Sequence, residues 1–240
     1  MTTTNATKLI QSALDKGLEA LSEYDAKQVL AAYGIPVTRE SLASSEEAAV
    51  AAAVDLGYPV ALKACSADLL HKSEHGVVLL HLADAEGVKS GYNRIVNAVS
   101  VPLDGVLVQE MVPGNRELVL GLTRDSQFGP CVMLGMGGVM TEILQDTAFR
   151  VAPLDHLDAE DMCRELRSAE LLGPFRGQKP ADRDALCRAL IALGRLGMEH
   201  EAVGEVDVNP LIITPEGNLV AADALVSLRP PAPPDPSNAG

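Results

Sequence analysis

The stretch from Glu205 to Ala224, EVDVNPLIITPEGNLVAADA, constrains the fold more than any other part of this 240-residue chain. Apolar and partly β-branched residues flank a Thr-Pro-Glu-Gly-Asn segment, a pattern typical of two antiparallel strands joined by a tight turn. Pro215 and Glu216 suit a type I turn, and Gly217 suits the left-handed residue that follows it in a three-residue loop. The sequence therefore predicts a β-hairpin here.

The same turn predicts which polar side chains meet. A three-residue loop pairs Thr214 with Asn218, and the ladder then places Asn209 opposite Asp223. Asp207 lies two residues before Asn209 and shares its face of the strand. Carboxylate and amide oxygens are ligands that Mg²⁺ takes, usually together with a nucleotide phosphate. Two interpretations stay open, a metal site and a solvated sheet face, and a one-residue slip in register would separate the side chains.

Composition narrows the class of partner. The net charge of −14 argues against nucleic acid or an anionic membrane as the main partner, and an aromatic content of 3% argues against a base-stacking surface. The four cysteines are widely spaced and form no CxxC pair, so we expect reduced thiols. No apolar run approaches the roughly 20 residues that span a bilayer, and the first residues lack the apolar core of a signal peptide. We expect a soluble, cytoplasmic protein.

Capping and turn signals predict an α/β (α+β) chain made of two subdomains. Besides the hairpin, the predicted helices are at about 22–33, 44–57, 84–98, 158–172 and 181–199, and the predicted strands are at 59–64, 77–82, 105–111, 117–123 and 131–134. A change of pattern near Pro113-Gly114-Asn115 marks the boundary between the two subdomains. The predicted division is a flexible lead-in at 1–19, an N-terminal subdomain at 20–108, a C-terminal subdomain with the hairpin at 109–228, and a disordered Pro-rich tail at 229–240.

Other residues carry chemistry in more than one interpretation. Lys63 stands inside a predicted strand, where it either reaches an anion such as phosphate or lies at a sheet edge with its ammonium in water. His71, in LLHKSEHG, is a competent phosphoryl acceptor or an inert loop histidine, and His75 and His81 compete for the same role. Residues 128–142, FGPCVMLGMGGVMTE, suit a close approach to a ligand or tight chain packing, and lack the Walker A ending.

Six blocks of sequence, taken in order, resemble one known family. The chain is similar to the ATP-grasp β subunit of NDP-forming (ADP-forming) acyl-CoA synthetases, in the superfamily of succinyl-CoA synthetase. The resemblance covers roughly residues 20 to 228. The blocks are EYDAKQVLAAYGIPV, LGYPVALKACSADLLHKSEHGVV, GVLVQEMVPGNRELVLGLTRDSQFGPCVMLGMGG, FRVAPLD, FRGQKP and EVDVNPL.

The resemblance implies an ATP-grasp fold, in which two α/β subdomains hold ATP or ADP between them. In this reading Lys63 contacts the phosphates. The strand edge of Gln109, Glu110 and Met111 forms the hinge against adenine, and Glu117 holds the ribose. Recognition at such a hinge is largely through the backbone, so the sequence leaves ATP and GTP both possible.

The resemblance also implies the catalytic and metal residues. Asn209 and Asp223 would bind Mg²⁺, and Asp207 would lie beside the metal and the phosphorylated histidine. His71 would carry the phosphoryl group on a mobile loop. The loop departs from the family pattern at Val77, where the family has a second glycine, and Leu79 stands where the family often has lysine.

The implied reaction is acid + CoA + ATP ⇌ acyl-CoA + ADP + phosphate, through an acyl phosphate and phosphohistidine. The carboxylic acid and CoA would bind to a separate CoA-binding and ligase α subunit, in an α₂β₂ heterotetramer. Two other functions remain open: a stand-alone ATP-grasp carboxylate ligase, and a non-catalytic ATP-sensing regulatory subunit. No paired arginines or Ser/Thr anchor for a carboxylate stand out in the sequence, which disfavours the ligase.

Overall fold

The structure, a computed structural model, describes residues 2–67, 78–137 and 146–229. Its helices are α1 (Thr3–Asp15), α2 (Glu23–Ala32), α3 (Glu46–Leu56), α4 (Ala85–Ala98), α5 (His156–Glu165) and α6 (Arg183–Glu199), with a short 3-10 helix at Ala169–Leu172. Its strands are β1 (Glu40–Ala43), β2 (Val60–Cys65), β3 (Val78–Leu82), β4 (Gly105–Glu110), β5 (Arg116–Asp125), β6 (Gly129–Met136), β7 (Thr147–Val151), β8 (Val203–Ile213), β9 (Leu219–Ala221) and β10 (Leu225–Leu228).

The strands form two antiparallel sheets, each with its own hydrophobic core. The smaller lobe is a four-stranded sheet in the order β1-β4-β2-β3, covered by α3 and α4. The larger lobe is a six-stranded sheet in the order β10-β8-β5-β6-β7, with β9 paired to β8 and with α5 and α6 packed against it. The expected α/β (α+β) class with two lobes is confirmed.

The beginning of the chain differs from expectation. Residues 3–15, predicted as part of a flexible lead-in, form α1, which buries Ala6, Ile10 and Ala13 in the core of the larger lobe. These residues have the spacing of one helix face, but two of them are alanines, so the apolar signal was weak. α2, which the sequence placed in the N-terminal subdomain, also packs in the larger core, through Val29 and Leu30 among others. The smaller lobe is therefore an insertion between α2 and β5.

The missed strands share one property. β1, β7 and β10 were not predicted, and each lies at the edge of its sheet. An edge strand is short and has one unpaired side, so it needs fewer apolar residues than a central strand. The helix signals were more reliable: Ser22, Ser45 and Asp84 cap α2, α3 and α4 through side-chain oxygens that accept backbone N–H groups.

The hairpin forms with the predicted register. Leu211, Ile212 and Ile213 of β8 pair with Ala221, Val220 and Leu219 of β9. The Thr214 N–H donates to the Asn218 carbonyl at 2.8 Å, and Gly217 has a φ of 92°. The turn also packs against the chain before α6, because the Gly217 carbonyl accepts from the Asp182 N–H at 2.8 Å.

Replacing Gly217 by Ala should therefore destabilise the fold. A Cβ at this position would lie 2.1 Å from the Pro180 carbonyl oxygen, and the left-handed backbone alone costs about 1–2 kcal/mol for an L-residue. We expect the melting temperature to fall by roughly 5 °C or more, measured by calorimetry. Gly177→Ala is the control, since Gly177 has a φ of 81° with no heavy atom of the described residues within 4 Å. An equal loss in both variants would contradict the steric argument.

Three expectations lie outside the described residues: those for His71 and its loop, for the Gly-rich stretch beyond Gly137, and for the tail from 230 to 240. Arg229, the first residue of the predicted tail, donates its backbone N–H to the Ala202 carbonyl at 2.7 Å. In the ranges that the structure describes, no helix is both long and apolar enough to cross a membrane.

Candidate active site

Lys63 lies at the junction of the two lobes. It belongs to β2, which lies between β4 and β3 in the smaller sheet, and it is buried. Its Nζ is 2.7 Å from Glu23 Oε1, 3.0 Å from the Ala222 carbonyl oxygen and 3.7 Å from Asp223 Oδ2. The sheet-edge interpretation is therefore wrong. The expected anionic partner is present, and in the structure it is a pair of carboxylates.

A second lysine, which the sequence analysis missed, completes this cluster. Lys27 of α2 is fully buried, and its Nζ contacts Glu23 Oε1 at 2.9 Å and Gln109 Oε1 at 2.9 Å. It also contacts Glu40 Oε2. In the sequence, Glu23 and Lys27 stand four residues apart at the start of a helix, where such a pair is commonly a solvated surface contact. Burial between the lobes distinguishes this pair from a surface pair. That burial depends on Gln109, which lies 82 residues further along the chain, so no local sequence pattern indicates it.

The pKa of Lys63 shows how the cluster balances its charges. Burial lowers the pKa of the Lys63 ammonium, but Asp223 and Glu23 outweigh that effect, so the pKa lies above its ordinary value. Burial raises the pKa of Glu40, against the opposing effect of Lys27. Lys63 therefore stays charged at neutral pH, which a lysine that binds an anion requires.

The register predicted from the turn continues along β8 towards the polar residues of the hairpin. Next to the Asn209 position, the Ala222 N–H donates to the Pro210 carbonyl at 3.0 Å, and Leu225 pairs with Asp207. Residues 222–224 lie between β9 and β10 and belong to neither strand, and extending the register across them sets Asp223 against Asn209. Asp207 in turn lies directly opposite Gly121 of β5, so its side chain has only a hydrogen beside it on that strand.

Asp207 carries an excess of negative charge around it. Burial raises the pKa of its carboxyl group, and Glu205 and Asp223 raise it further. The described residues contain no group of three or more His, Cys, Asp or Glu side chains in metal-binding proximity. A donor set of Asp223, Asn209 and Asp207 still suits a hard cation that keeps several waters, because such a cation needs few protein oxygens and would neutralise the repulsion at Asp207.

The burial of Asp207 and the charges of its acidic neighbours have a measurable consequence for stability. The folded state holds the Asp207 proton more tightly than the unfolded chain does, so ionised Asp207 destabilises the fold as pH rises through the raised pKa. Without divalent cations, Asp207→Asn should raise the melting temperature at pH 7.5 by about 2 °C, and the difference should vanish towards pH 4. Calorimetry at both pH values in EDTA measures it.

The matched control has the opposite sign. Asp125 accepts hydrogen bonds from the Phe128 and Gln127 N–H groups, and these lower the pKa of its carboxyl group. Asp125→Asn should therefore lower the melting temperature at pH 7.5. If both variants shifted in the same direction, the charge argument for Asp207 would be wrong.

The three predicted hinge residues differ in whether their backbone groups are free of strand pairing and so available to a nucleotide. Gln109 and Glu110 lie in β4. Gln109 pairs with both β1 and β2, and Glu110 pairs with β2 and donates its backbone N–H to the Arg39 carbonyl at 3.0 Å. The Gln109 side chain is buried against Lys27. Met111 is the first residue beyond the paired part of β4. A hinge at this position would therefore use the backbone from Met111 onwards.

Glu117 lies on the same face of the larger sheet as Gly121 and Asp207, and its side chain is half-buried. The chain after β6 passes close to it: the Gly137 N–H donates to the Glu117 carbonyl at 2.7 Å, and a Cβ at Gly137 would lie 2.8 Å from the Glu117 Cβ. This glycine therefore allows a close approach between two segments of chain.

Leu79 packs against the smaller core, which accounts for an apolar residue at that position.

Comparison with known proteins identifies the family. The family described as ATP-grasp domain matches residues 12–228. The chain is 38% identical to the acetate–CoA ligase (ADP-forming) II subunit β of Pyrococcus furiosus, over 93% of this chain and 98% of that one. The chain belongs to the ATP-grasp β-subunit family of ADP-forming acetyl-CoA synthetases. The resemblance predicted from the sequence is confirmed, and with it the ATP-grasp fold and an acid–CoA ligase (ADP-forming) β-subunit function.

Two further members of the family bear on the site. Acetate–CoA ligase (ADP-forming) I of Archaeoglobus fulgidus is 38% identical over 90% of this chain, which matches 32% of that longer protein. Acetyl-coenzyme A synthetase 1 of Ca. Korarchaeum cryptofilum has been solved with coenzyme A and Mg-AMPPCP, with its phosphohistidine segment pointing towards the nucleotide-binding site. That chain is 42% identical, with a TM-score of 0.82, and the match covers 93% of this chain and all of that one.

Proposed function

We propose that this chain binds ATP and Mg²⁺ between its two lobes and passes the γ-phosphoryl group to a histidine of its own. The observation that carries the proposal is the buried Lys63 ammonium, which lies beside Asp223 where the two lobes meet. Transfer of a phosphoryl group needs positioning and neutralisation of charge more than it needs covalent help from the protein. A buried cation facing an acidic, cation-suited hairpin supplies both.

The nucleotide would lie across this junction. Lys63 would contact the phosphates, the backbone at Met111 would face the adenine, and Glu117 would hold the ribose. Glu117 and Asp207 share one face of the larger sheet, so ribose and phosphates would follow that face in order. Gln109 and Glu110 pair with β2, so their role would be to fix the position of β4, the strand that ends at the hinge.

Asn209 and Asp223 would hold the Mg²⁺, with Asp207 beside them. When bound, the cation would neutralise charge on the phosphate oxygens and on these carboxylates. Asp207 would then stay ionised at neutral pH and would be able to accept a hydrogen bond from the imidazole that receives the phosphoryl group. This role would account for an acidic residue at a position where burial and acidic neighbours raise the pKa of its carboxyl group.

His71 would be the phosphoryl acceptor. A neutral imidazole nitrogen attacks the γ-phosphorus, the bond to the bridging oxygen of ADP breaks, and the phosphoryl group leaves with the histidine. The phosphohistidine segment of the Korarchaeum protein, which points towards the nucleotide-binding site there, supports this assignment. A carrier of this kind divides one long transfer into two short ones.

The second half of the reaction would take place on an α subunit. The Pyrococcus relative is a subunit β by name, which implies an α partner. The Archaeoglobus relative is about three times as long as the matched region, which is the arrangement expected if both parts are fused there. The α subunit would bind CoA and the carboxylic acid and form the acyl phosphate. The two kinds of subunit would assemble as an α₂β₂ heterotetramer, as the family resemblance implies.

Incubation with γ-³²P-ATP and Mg²⁺, with and without the α subunit, tests the proposal. We expect an acid-labile, base-stable label on this chain, which is the signature of phosphohistidine, and its discharge when ADP is added. Label that needs the α subunit would mean that the partner completes the site. ATP binding without any label would favour the sensor, and turnover of a carboxylic acid without the partner would favour the stand-alone ligase.

A further inference from the structure

Lys27 and Lys63 bind the same two oxygen atoms. Glu23 Oε1 lies 2.9 Å from the Lys27 Nζ and 2.7 Å from the Lys63 Nζ. The Ala222 carbonyl oxygen lies 3.3 Å from Lys27 and 3.0 Å from Lys63. Each oxygen therefore has two ammonium groups in contact with it, one from α2 of the larger lobe and one from β2 of the smaller lobe.

The two lysines differ in what else they can reach. The Lys27 side chain is 0% exposed, and its other contacts are Thr38, Glu40 and Gln109, all of them inside the protein. The Lys63 side chain is 7% exposed, and its third contact is Asp223, which is 39% exposed. Lys27 is thus the inner cation of the pair, and Lys63 is the one that adjoins the open side of the junction.

A lysine that binds a phosphate has to leave its previous acceptors. Without Lys27, this exchange would take a contacting ammonium away from a buried carboxylate, which is unfavourable. With Lys27 in place, both oxygens keep an ammonium at 2.9 and 3.3 Å. The residue after Ala222 is the metal-site candidate Asp223, so the same contact also holds the hairpin.

We propose that Lys27 is a positioning residue that retains Glu23 and the Ala222 carbonyl while Lys63 exchanges these acceptors for the phosphates of the nucleotide. The inference rests on the nucleotide-binding role proposed above for Lys63. Lys27 itself touches no substrate. Its contribution is to keep the acceptors of Lys63 satisfied, so that the exchange of partners leaves no buried carboxylate without its lysine.

Binding of Mg·ADP to the full chain, measured by titration calorimetry, tests this role. Lys27→Met should weaken binding by at least about tenfold, because Glu23 then competes with the phosphates for Lys63. Glu23→Gln/Lys27→Met should return the dissociation constant to within about threefold of wild type, because an amide competes weakly for the ammonium. Glu23→Gln alone should bind as tightly as wild type or more tightly.

The matched control is Glu40→Gln/Lys27→Met. Glu40 contacts Lys27 through the same ammonium, so both double variants remove one cation and one anion, and both keep the wild-type net charge. Only Glu23 is also in contact with Lys63. We expect the Glu40 double variant to bind Mg·ADP as weakly as Lys27→Met does. A merely structural role for Lys27 predicts equal affinity for the two double variants.

The comparison of the double variants stands even if Lys27→Met does not fold, since each double variant replaces a buried ion pair by two neutral side chains. Equal affinities in the two double variants, or a Lys27→Met protein that binds within threefold of wild type, would overturn the inference. A wild-type chain that binds no Mg·ADP would instead overturn the proposed function, and with it the premise about Lys63.

Discussion

Replacing His71 by Ala should remove the acid-labile phosphoryl label and lower CoA-dependent turnover by at least about a thousandfold. Alanine has no nitrogen to accept the phosphoryl group, so none would be carried to the α subunit. Binding of Mg·ADP should stay within about threefold of wild type, because the acceptor contributes little to nucleotide affinity. The label and the thioester product are measured in parallel on the complex with the α subunit.

Two neighbouring histidines provide the controls. His75 lies in the same segment of sequence, and His81 is an exposed residue of β3. His75→Ala and His81→Ala should keep the label and most of the turnover. If label persisted in His71→Ala and disappeared in one of the other two, the carrier would have been assigned to the wrong residue.

Replacing Lys63 by Met should have the second largest effect. The charge that develops on the phosphate oxygens would lose a buried ammonium, and such a loss lowers kcat/KM by roughly 10²–10³-fold. Met keeps the length and apolar character of the lysine stem, and the neighbouring core residues Leu62 and Ala64 are unchanged. We expect weaker binding of Mg·ADP together with slower labelling of His71, measured by calorimetry and by ³²P transfer.

Lys89 is the matched surface lysine for this experiment. It is 44% exposed and pairs with Glu86 on α4, outside the junction between the lobes. Lys89→Met should leave binding and labelling unchanged, since an exposed pair of this kind contributes little. Wild-type affinity in the Lys63→Met protein would show that the ammonium serves the fold alone, through Glu23 and Asp223.

The candidate site was predictable where it depends on local chemistry. The hairpin turn is set by Pro215, Glu216 and Gly217, and a turn of known type sets the register of the strands that it joins. The proximity of Asp207 and Asp223 could therefore be predicted from the turn, without knowledge of the rest of the chain. The capped helices were predictable for the same reason, since a cap bonds to a backbone group three residues away.

The site was not predictable where it depends on distant parts of the chain. That Lys63 needs an anionic partner follows from its place in a strand, but its partner Glu23 is 40 residues away, on a helix that belongs to the other lobe. Lys27 was missed altogether. Its residue type and spacing suit a solvated helix surface, but it is buried and contacts Gln109 and Ala222, which lie 82 and 195 residues further along the chain.

Turn chemistry, capping and ordered sequence blocks were thus sufficient for the family, the hairpin and most helices and strands, because these features depend on residues near one another in the chain. The assignment of α1 and α2 to the larger lobe, the edge strands and the lysine pair that shares Glu23 emerged only when the chain was packed. Burial removes water from charges and forces them to find partners, and which partners are within reach is a property of the assembled lobes.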